Sequence, residues 1–185
     1  MSSNRHANNE PCQDQSVLET YLDLLDLCYF EVTEAFGGLA DENLWKRPAP
    51  ALLSVGELAA HIAYGEALRF SGENSDGSAD RDMINCKVKS PILDVRFRYY
   101  TTTVDTAPTP EQLALGATTV LSELTRVHDE SMVHLKERNP DLDSPAPEWH
   151  GSYRELLKYL VFHASYHIGQ MYSVRHLLGD ETPNN

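Results

Sequence analysis

Two of the eight histidines stand four residues apart in the C-terminal segment VFHASYHIGQ, at His163 and His167. In a helix, their imidazoles lie about 40° apart around the axis and one turn apart along it. At that spacing both can reach one ion, as other i, i+4 histidine pairs do. A third, His61, lies in ELAAHIAYGEAL on one helical stripe with Leu58, Gly65 and Leu68. Two histidines from one helix and one from another form a three-imidazole donor set. That set leaves a coordination position open for water or substrate, which suits a catalytic centre better than a structural one. Neutral imidazoles leave a divalent ion its full charge. A water brought to it ionises near neutral pH, and a thiol is deprotonated outright. HASYH has Ala164 where a HExxH protease needs its glutamate base, and that gap favours the thiol route. No Glu-x-x-His occurs, which disfavours a di-iron arrangement, and GxSxG, P-loop and GxGxxG patterns are absent.

Other polar side chains fall close to these positions. Tyr166 and Gln170 flank His163 on the same face and could orient a ligand or polarise a substrate. Core packing is an equal reading for Tyr166, whereas a buried Gln170 amide needs partners. Glu57 lies one turn before His61. It is either a capping-box glutamate or the acceptor for the outer N–H of a ligand histidine. The candidate metal ligands are therefore His61, His163 and His167, and the candidate catalytic residues are Tyr166, Gln170 and Glu57. Tyr64 reads as core. His6, His128, His134, His150 and His176 read as structural or solvated.

The elements that must position these groups are helices. Apolar residues recur at threes and fours through Val17 or Leu18, Tyr21, Leu25, Cys28, Val32 and Phe36, predicting a helix from about Asp14 that Gly37–Gly38 ends. Its other side, with Glu19, Asp23, Asp26 and Glu34, reads as a solvated face. A Pro-rich connection over 39–53 leads to a Ser54–Glu57 capping box and a helix from about Val55 to Phe70. Thr109-Pro110-Glu111-Gln112 starts a third helix, expected to run unbroken to about Glu137 with Leu113, Val120, Leu124, Val127, Ser131 and Leu135 along one stripe. Ser152–Glu155 opens the fourth, to about Leu178, with Leu156, Leu160, His163, His167, Met171 or Gln170, and Val174 inward. The fold class is all-α, a four-helix bundle with a long connection between its second and third helices. Residues 1–12 and 180–185 read as tails around a single domain over 13–179. Ahead of and within the long connection, SGENSDGSADRD (71–82) reads as loop, and Lys87 to Thr103 as a short strand, an extended crossover or a short helix. Lys87, Lys89, Arg96 and Arg98 form a basic cluster there, read as solvated or acid-paired before substrate-binding.

Length and charge narrow the function classes. A chain of 185 residues supports one domain with a core large enough to need no staple. With 28 acidic residues against 15 Lys plus Arg, the net charge is −13, which argues against nucleic-acid binding and against docking on an anionic membrane. No apolar run approaches a membrane span and the first residues lack a secretory h-region, so a cytoplasmic location is expected. Cys12, Cys28 and Cys86 have no paired spacing, giving no disulfide framework and no thiolate zinc site, and Cys28 reads as core.

Two segments carry a family resemblance: WKRPAPALLSVGELAAHIAYGEALRF, with Ser-x-x-Glu-x-x-x-His ending at His61, and VFHASYHIGQMYSVRHLLGD, with His-x-x-x-Tyr-His-x-Gly-Gln spanning His163 to Gln170. Together these resemble the DinB/YfiT-like metalloenzyme superfamily. The resemblance implies a four-helix bundle, a divalent ion (zinc or nickel) on the three histidines, and frequent homodimers. It also implies chemistry of the thiol-dependent transferase and isomerase kind, with bacillithiol, mycothiol or glutathione as the low-molecular-weight thiol. The expected function is a metal-dependent S-transferase acting on a small-molecule substrate. The alternatives are a non-catalytic metal- or small-ligand-binding stress protein and a metal-hydroxide hydrolase. The long connection over 72–108 departs from a minimal member.

Overall fold

The long helices α3 and α6 begin at the capping residues that the sequence places before them, Ser54 and Ser152. The computed structural model describes residues 13–71, 86–97, 107–146 and 150–183, with side-chain burial from residue 17. Six α-helices lie in that range: α1 Gln13–Phe36, α2 Asp41–Leu44, α3 Val55–Ser71, α4 Pro110–Leu113, α5 Ala117–Arg138 and α6 Tyr153–Leu177. Among the described residues there is no strand, only an isolated bridge between Pro145 and Ser152. The all-helical expectation holds. Of the loop expected over 71–82, Ser71 ends α3 and the rest lies outside the described residues, as do the expected tail over 1–12 and Arg98.

Local chemistry explains the boundaries. Gly38 adopts φ +70° just after α1, and Gly179 φ +75° just after α6. Both sit in the left-handed region where a Cβ is costly. Asn139 ends α5 at φ +40°, immediately before Pro140. Ahead of α3, the Ser54 backbone N–H donates to Glu57 Oε2 at 2.8 Å, and Glu57 N–H donates back to Ser54 Oγ at 3.3 Å. That reciprocal pair is the expected capping box.

The third predicted helix is two. Thr109 and Gln112 form their capping box, but α4 lasts one turn and the chain breaks at Ala114–Gly116 before α5 begins. Asp41 is the cause visible in the structure. Its Oδ1 accepts the Ala117 backbone N–H at 2.7 Å, capping α5 from another part of the chain. A Cβ on Gly116 would lie 2.7 Å from that same oxygen, so glycine is what lets the carboxylate in. The break also moves Leu113 off the inward stripe. It is exposed, while Val120, Leu124, Val127, Ser131 and Leu135 remain buried.

Four long helices make the core. α3 packs on α5 and α6, and α1 packs on α6 and α5. Apart from Arg69, every residue of α3 is buried, as its nearly continuous run of apolar and small residues requires. α3 is therefore the central element. His61 on it faces His163 and His167 on α6.

Candidate metal centre

The three histidines meet. His61, His163 and His167 are all buried, and one nitrogen from each ring lies within 4.8 Å of the others. Ring centroids form a near-equilateral triangle, at 4.8 Å for His61–His163, 4.7 Å for His61–His167 and 4.5 Å for His163–His167. His163 Nε2 and His61 Nε2 are 2.9 Å apart.

The outer nitrogens are held by oxygen acceptors. His61 Nδ1 donates to the Phe97 carbonyl at 2.5 Å, and His167 Nδ1 donates to Gln170 Oε1 at 2.6 Å. A carbonyl oxygen only accepts, so each Nδ1 carries the proton and each Nε2 keeps its lone pair. Outer-shell hydrogen bonding of this kind orients metal-bound histidine and raises its basicity. Phe97 belongs to a 3-10 turn, Val95–Phe97, that packs on α3. The described part of the Lys87–Thr103 stretch, up to Phe97, thus contributes a short 3-10 turn, one of the three structures expected for it.

The site is built for uncharged imidazoles. Burial, followed by the neighbouring His167 and His61, pushes His163 down to about 2. Burial and His61 push His167 down to about 4, against the raising effect of Gln170. Burial also lowers His61. Three neutral nitrogen donors turned to one point suit a borderline-soft divalent ion such as zinc or nickel, and they lack the hard oxygen ligands that calcium or magnesium prefers.

Gln170 is half-buried, and its Nε2 donates to Tyr166 Oη at 3.2 Å. Tyr166 is 54% exposed, with its ring edge-on to His167 at 5.1 Å, so the core-packing reading of it is wrong. A small apolar cleft of about 70 Å³ opens beside Gln170, lined by Leu53, Leu58, Val174 and Leu177. Glu57 is fully buried and faces elsewhere. Ser54 Oγ donates to it at 2.8 Å, and Arg47 pairs with its carboxylate. Both ring nitrogens of His61 are engaged by Phe97 and His163, so the capping reading describes Glu57. Tyr64 is core, as expected.

Four further residues lie near the centre with no signal in the sequence to place them there. Phe97 acts through its main chain, which leaves no side-chain signature. Arg69 stands two turns after His61 and reaches the wall of the site, while His150 and Tyr159 line the same wall. Arg69 Nε donates to His150 Nε2 at 3.2 Å, and its guanidinium lies over the Tyr159 ring at 5.6 Å. Tyr159 in turn packs on His163 with centroids 5.3 Å apart. Within the basic cluster, Arg96 is acid-paired, bonding Asp94 at 2.7 Å. His128 is structural, pairing with Glu66 in the core.

Comparison with known proteins adds no relative: no family model matches the chain, and no curated protein or solved structure does. No described helix is long and apolar enough to cross a membrane.

Proposed function

We propose that the chain is a DinB-like four-helix bundle that binds one divalent metal ion through His61, His163 and His167 and uses it in thiol-dependent S-transfer to a small electrophile. The observation that carries the reading is the triangle of buried, uncharged imidazoles with their outer nitrogens hydrogen-bonded to Phe97 and Gln170. Such donors need no proton removed before they bind a metal at neutral pH. A divalent ion there would supply Lewis acidity, lowering the pKa of a thiol until it reacts as the thiolate.

The chain's own residues do the rest. The Phe97 carbonyl and Gln170 fix the tautomers and ring planes of His61 and His167. Gln170 and Tyr166 form a polar edge on the open side, where a substrate could be oriented. Leu53, Leu58, Val174 and Leu177 offer an apolar wall for the electrophile beside Gln170. The transfer balances without another reagent. The thiol gives up its proton to solvent, sulfur forms a bond to the electrophilic carbon, and the leaving group departs as an anion with the electron pair of the bond it breaks.

The test is metal analysis of the purified protein, followed by turnover of an alkyl or aryl halide with a panel of low-molecular-weight thiols. One zinc or nickel per chain and thiol-dependent product support the reading. Thiol-independent hydrolysis would replace it with a metal-hydroxide hydrolase, and bound metal with no turnover would favour a binding protein.

A further inference from the structure

The Phe97 carbonyl that holds His61 Nδ1 sits at the end of a bonded knot. The Phe97 N–H donates to the Asp94 carbonyl at 3.0 Å and closes the Val95–Phe97 turn. Asp94 caps the same turn, its Oδ1 accepting the Arg96 main-chain N–H at 2.9 Å. The Arg96 guanidinium then folds back on that carboxylate. Its Nε lies 3.0 Å from each oxygen and its Nη2 2.7 Å from Oδ2.

Arg96 also reaches out of the turn. Nη1 donates to the Ala107 carbonyl at 2.6 Å, and Nη2 donates to Gln112 Oε1 at 3.2 Å. Gln112 is buried in α4, and the same oxygen accepts the Thr109 N–H at 2.9 Å in the capping box. The guanidinium lies 5.8 Å from the centre of the Phe97 ring, which is buried in the core. One side chain therefore joins the cap of the turn, the start of α4 and the residue whose carbonyl meets His61. A single 3-10 turn has poor hydrogen-bond geometry and little rigidity of its own, so side-chain bonds must fix where its carbonyls point.

We infer that Arg96 is a positioning residue of the metal centre. Through Asp94 and Gln112 it fixes the Phe97 carbonyl, which keeps the His61 proton on Nδ1 and leaves the Nε2 lone pair for the ion. The last step rests on the metal reading above. The link from Arg96 to the His61 tautomer stands without any ion.

A second arginine holds the same segment and supplies the control. Arg126 on α5 donates to the Lys89 carbonyl at 2.6 Å, upstream of the turn. If Arg96 acted only by tying the segment down, losing Arg126 would have the same effect.

The test uses the full chain, metal-free and with isotope-labelled histidine, and reads from long-range proton–nitrogen spectra at neutral pH which ring nitrogen carries each proton. His61→Gln assigns the His61 signals. The wild type should show His61 protonated at Nδ1, with a slowly exchanging ring N–H. Arg96→Ala should give mixed tautomers at His61 and weaken zinc affinity about tenfold in chelator competition, the lower end for a lost outer-shell partner. Arg96→Lys keeps a charge beside Asp94 but not the fork, and should lie between. Arg126→Ala should leave both readouts at wild-type values. Should Arg96→Ala not fold, Asp94→Asn keeps the acceptor that caps the turn while weakening the guanidinium pair, and both readouts should move in the same direction. A His61 Nδ1–H form that persists in the folded variant, an unchanged zinc affinity, or equal losses from Arg126→Ala would overturn the assignment. If the wild type binds no zinc, the metal reading fails by itself, and the tautomer spectra alone decide whether Arg96 positions His61.

Discussion

His61 Nε2 and His163 Nε2 face one another at 2.9 Å across the packing of α3 on α6. His61 Nδ1–H donates to the Phe97 carbonyl, so His61 Nε2 offers a lone pair, which a neutral His163 meets with its Nε2–H. Burial and the neighbouring imidazoles keep a second proton off, pushing His163 down to about 2 and His167 down to about 4, so both rings are neutral near pH 7. Moving the His163 proton to Nδ1 would turn both Nε2 atoms toward one metal ion.

The first prediction follows from that geometry. His61→Ala, His163→Ala and His167→Ala should each strip the metal from the protein while circular dichroism retains most of the helical signal. Each change removes a donor and leaves the surrounding leucine and alanine packing in place. Metal content unchanged in all three variants would refute the ligand assignment.

Gln170 acts one step out. Its Oε1 holds His167 Nδ1–H at 2.6 Å. Gln170→Ala should therefore weaken metal affinity by about 10–100-fold, the usual cost of losing an outer-shell partner. Competition with a chromogenic chelator measures this directly. The Phe97 carbonyl has the parallel role on His61 but cannot be removed by side-chain substitution, so Gln170 is the accessible test.

Another buried histidine, away from the triangle, has the opposite electrostatics. His128 Nδ1 bonds Glu66 Oε2 at 2.8 Å, with its ring stacked on Tyr29 at 3.6 Å. Burial lowers its pKa, but the charge and hydrogen bond of Glu66, with Asp129 and Asp26, raise it further, for a net rise. The folded protein thus holds this proton at pH values where the unfolded chain, titrating near about 6.5, has lost it. The stabilisation is complete below the unfolded value and disappears as pH climbs through the folded one. Urea midpoints measured upward from about pH 6 should fall for the wild type. Glu66→Gln should be less stable at the low end and show a flatter profile, and parallel profiles would count against the pair.

Much of this architecture is legible in the residues, for identifiable reasons. The inward stripes of α1 and α6 follow from apolar spacing, and the α3 start follows from Ser54 and Glu57, whose bonding is local. His61, His163 and His167 stand out because polar groups on apolar stripes break the period. What escapes the sequence is non-local. The α5 start depends on Asp41, distant in the chain, and the acceptor for His61 is a main-chain oxygen at Phe97. Arg69 reads from sequence as an ordinary last-turn cation until Gly65 brings it against His163. Tyr166 lies near the ligand face by helical angle, yet it is mostly exposed because no described helix covers that side.

The Asp41 cap is testable by stability alone. Asp41→Ala should cost about 1 kcal/mol, typical of a lost N-cap, while Asp41→Asn should retain most of the stabilisation. Gly116→Ala should also destabilise, because its methyl group meets Asp41 Oδ1 at 2.7 Å. Denaturant midpoints that do not move for either Asp41→Ala or Gly116→Ala would show that α5 starts there for another reason.

Arg175 makes the strongest prediction away from the metal centre. It is completely buried in the last turn of α6. It donates to the carbonyls of Ala35 at 2.9 Å, Gly37 at 2.8 Å and Glu181 at 2.7 Å, with Asp180 Oδ2 at 3.4 Å from Nε. One guanidinium thus ties the end of α1 to the end of α6 and satisfies carbonyls that the helix ends leave open. Arg175→Met keeps the bulk but removes every donor, stranding those oxygens and the nearby carboxylate. The loss should be about 3–5 kcal/mol, the range for breaking a buried charge from its partners. At about 2–4 °C per kcal/mol, a thermal melt should move by roughly 10 °C. Arg175→Lys should recover only part, since an ammonium cannot spread across three separated carbonyls. Because the histidine triangle lies two to three turns back along α6, metal stoichiometry at low temperature should match the wild type in both variants. A melt within a degree or two of wild type for Arg175→Met would mean that water replaces the guanidinium without penalty.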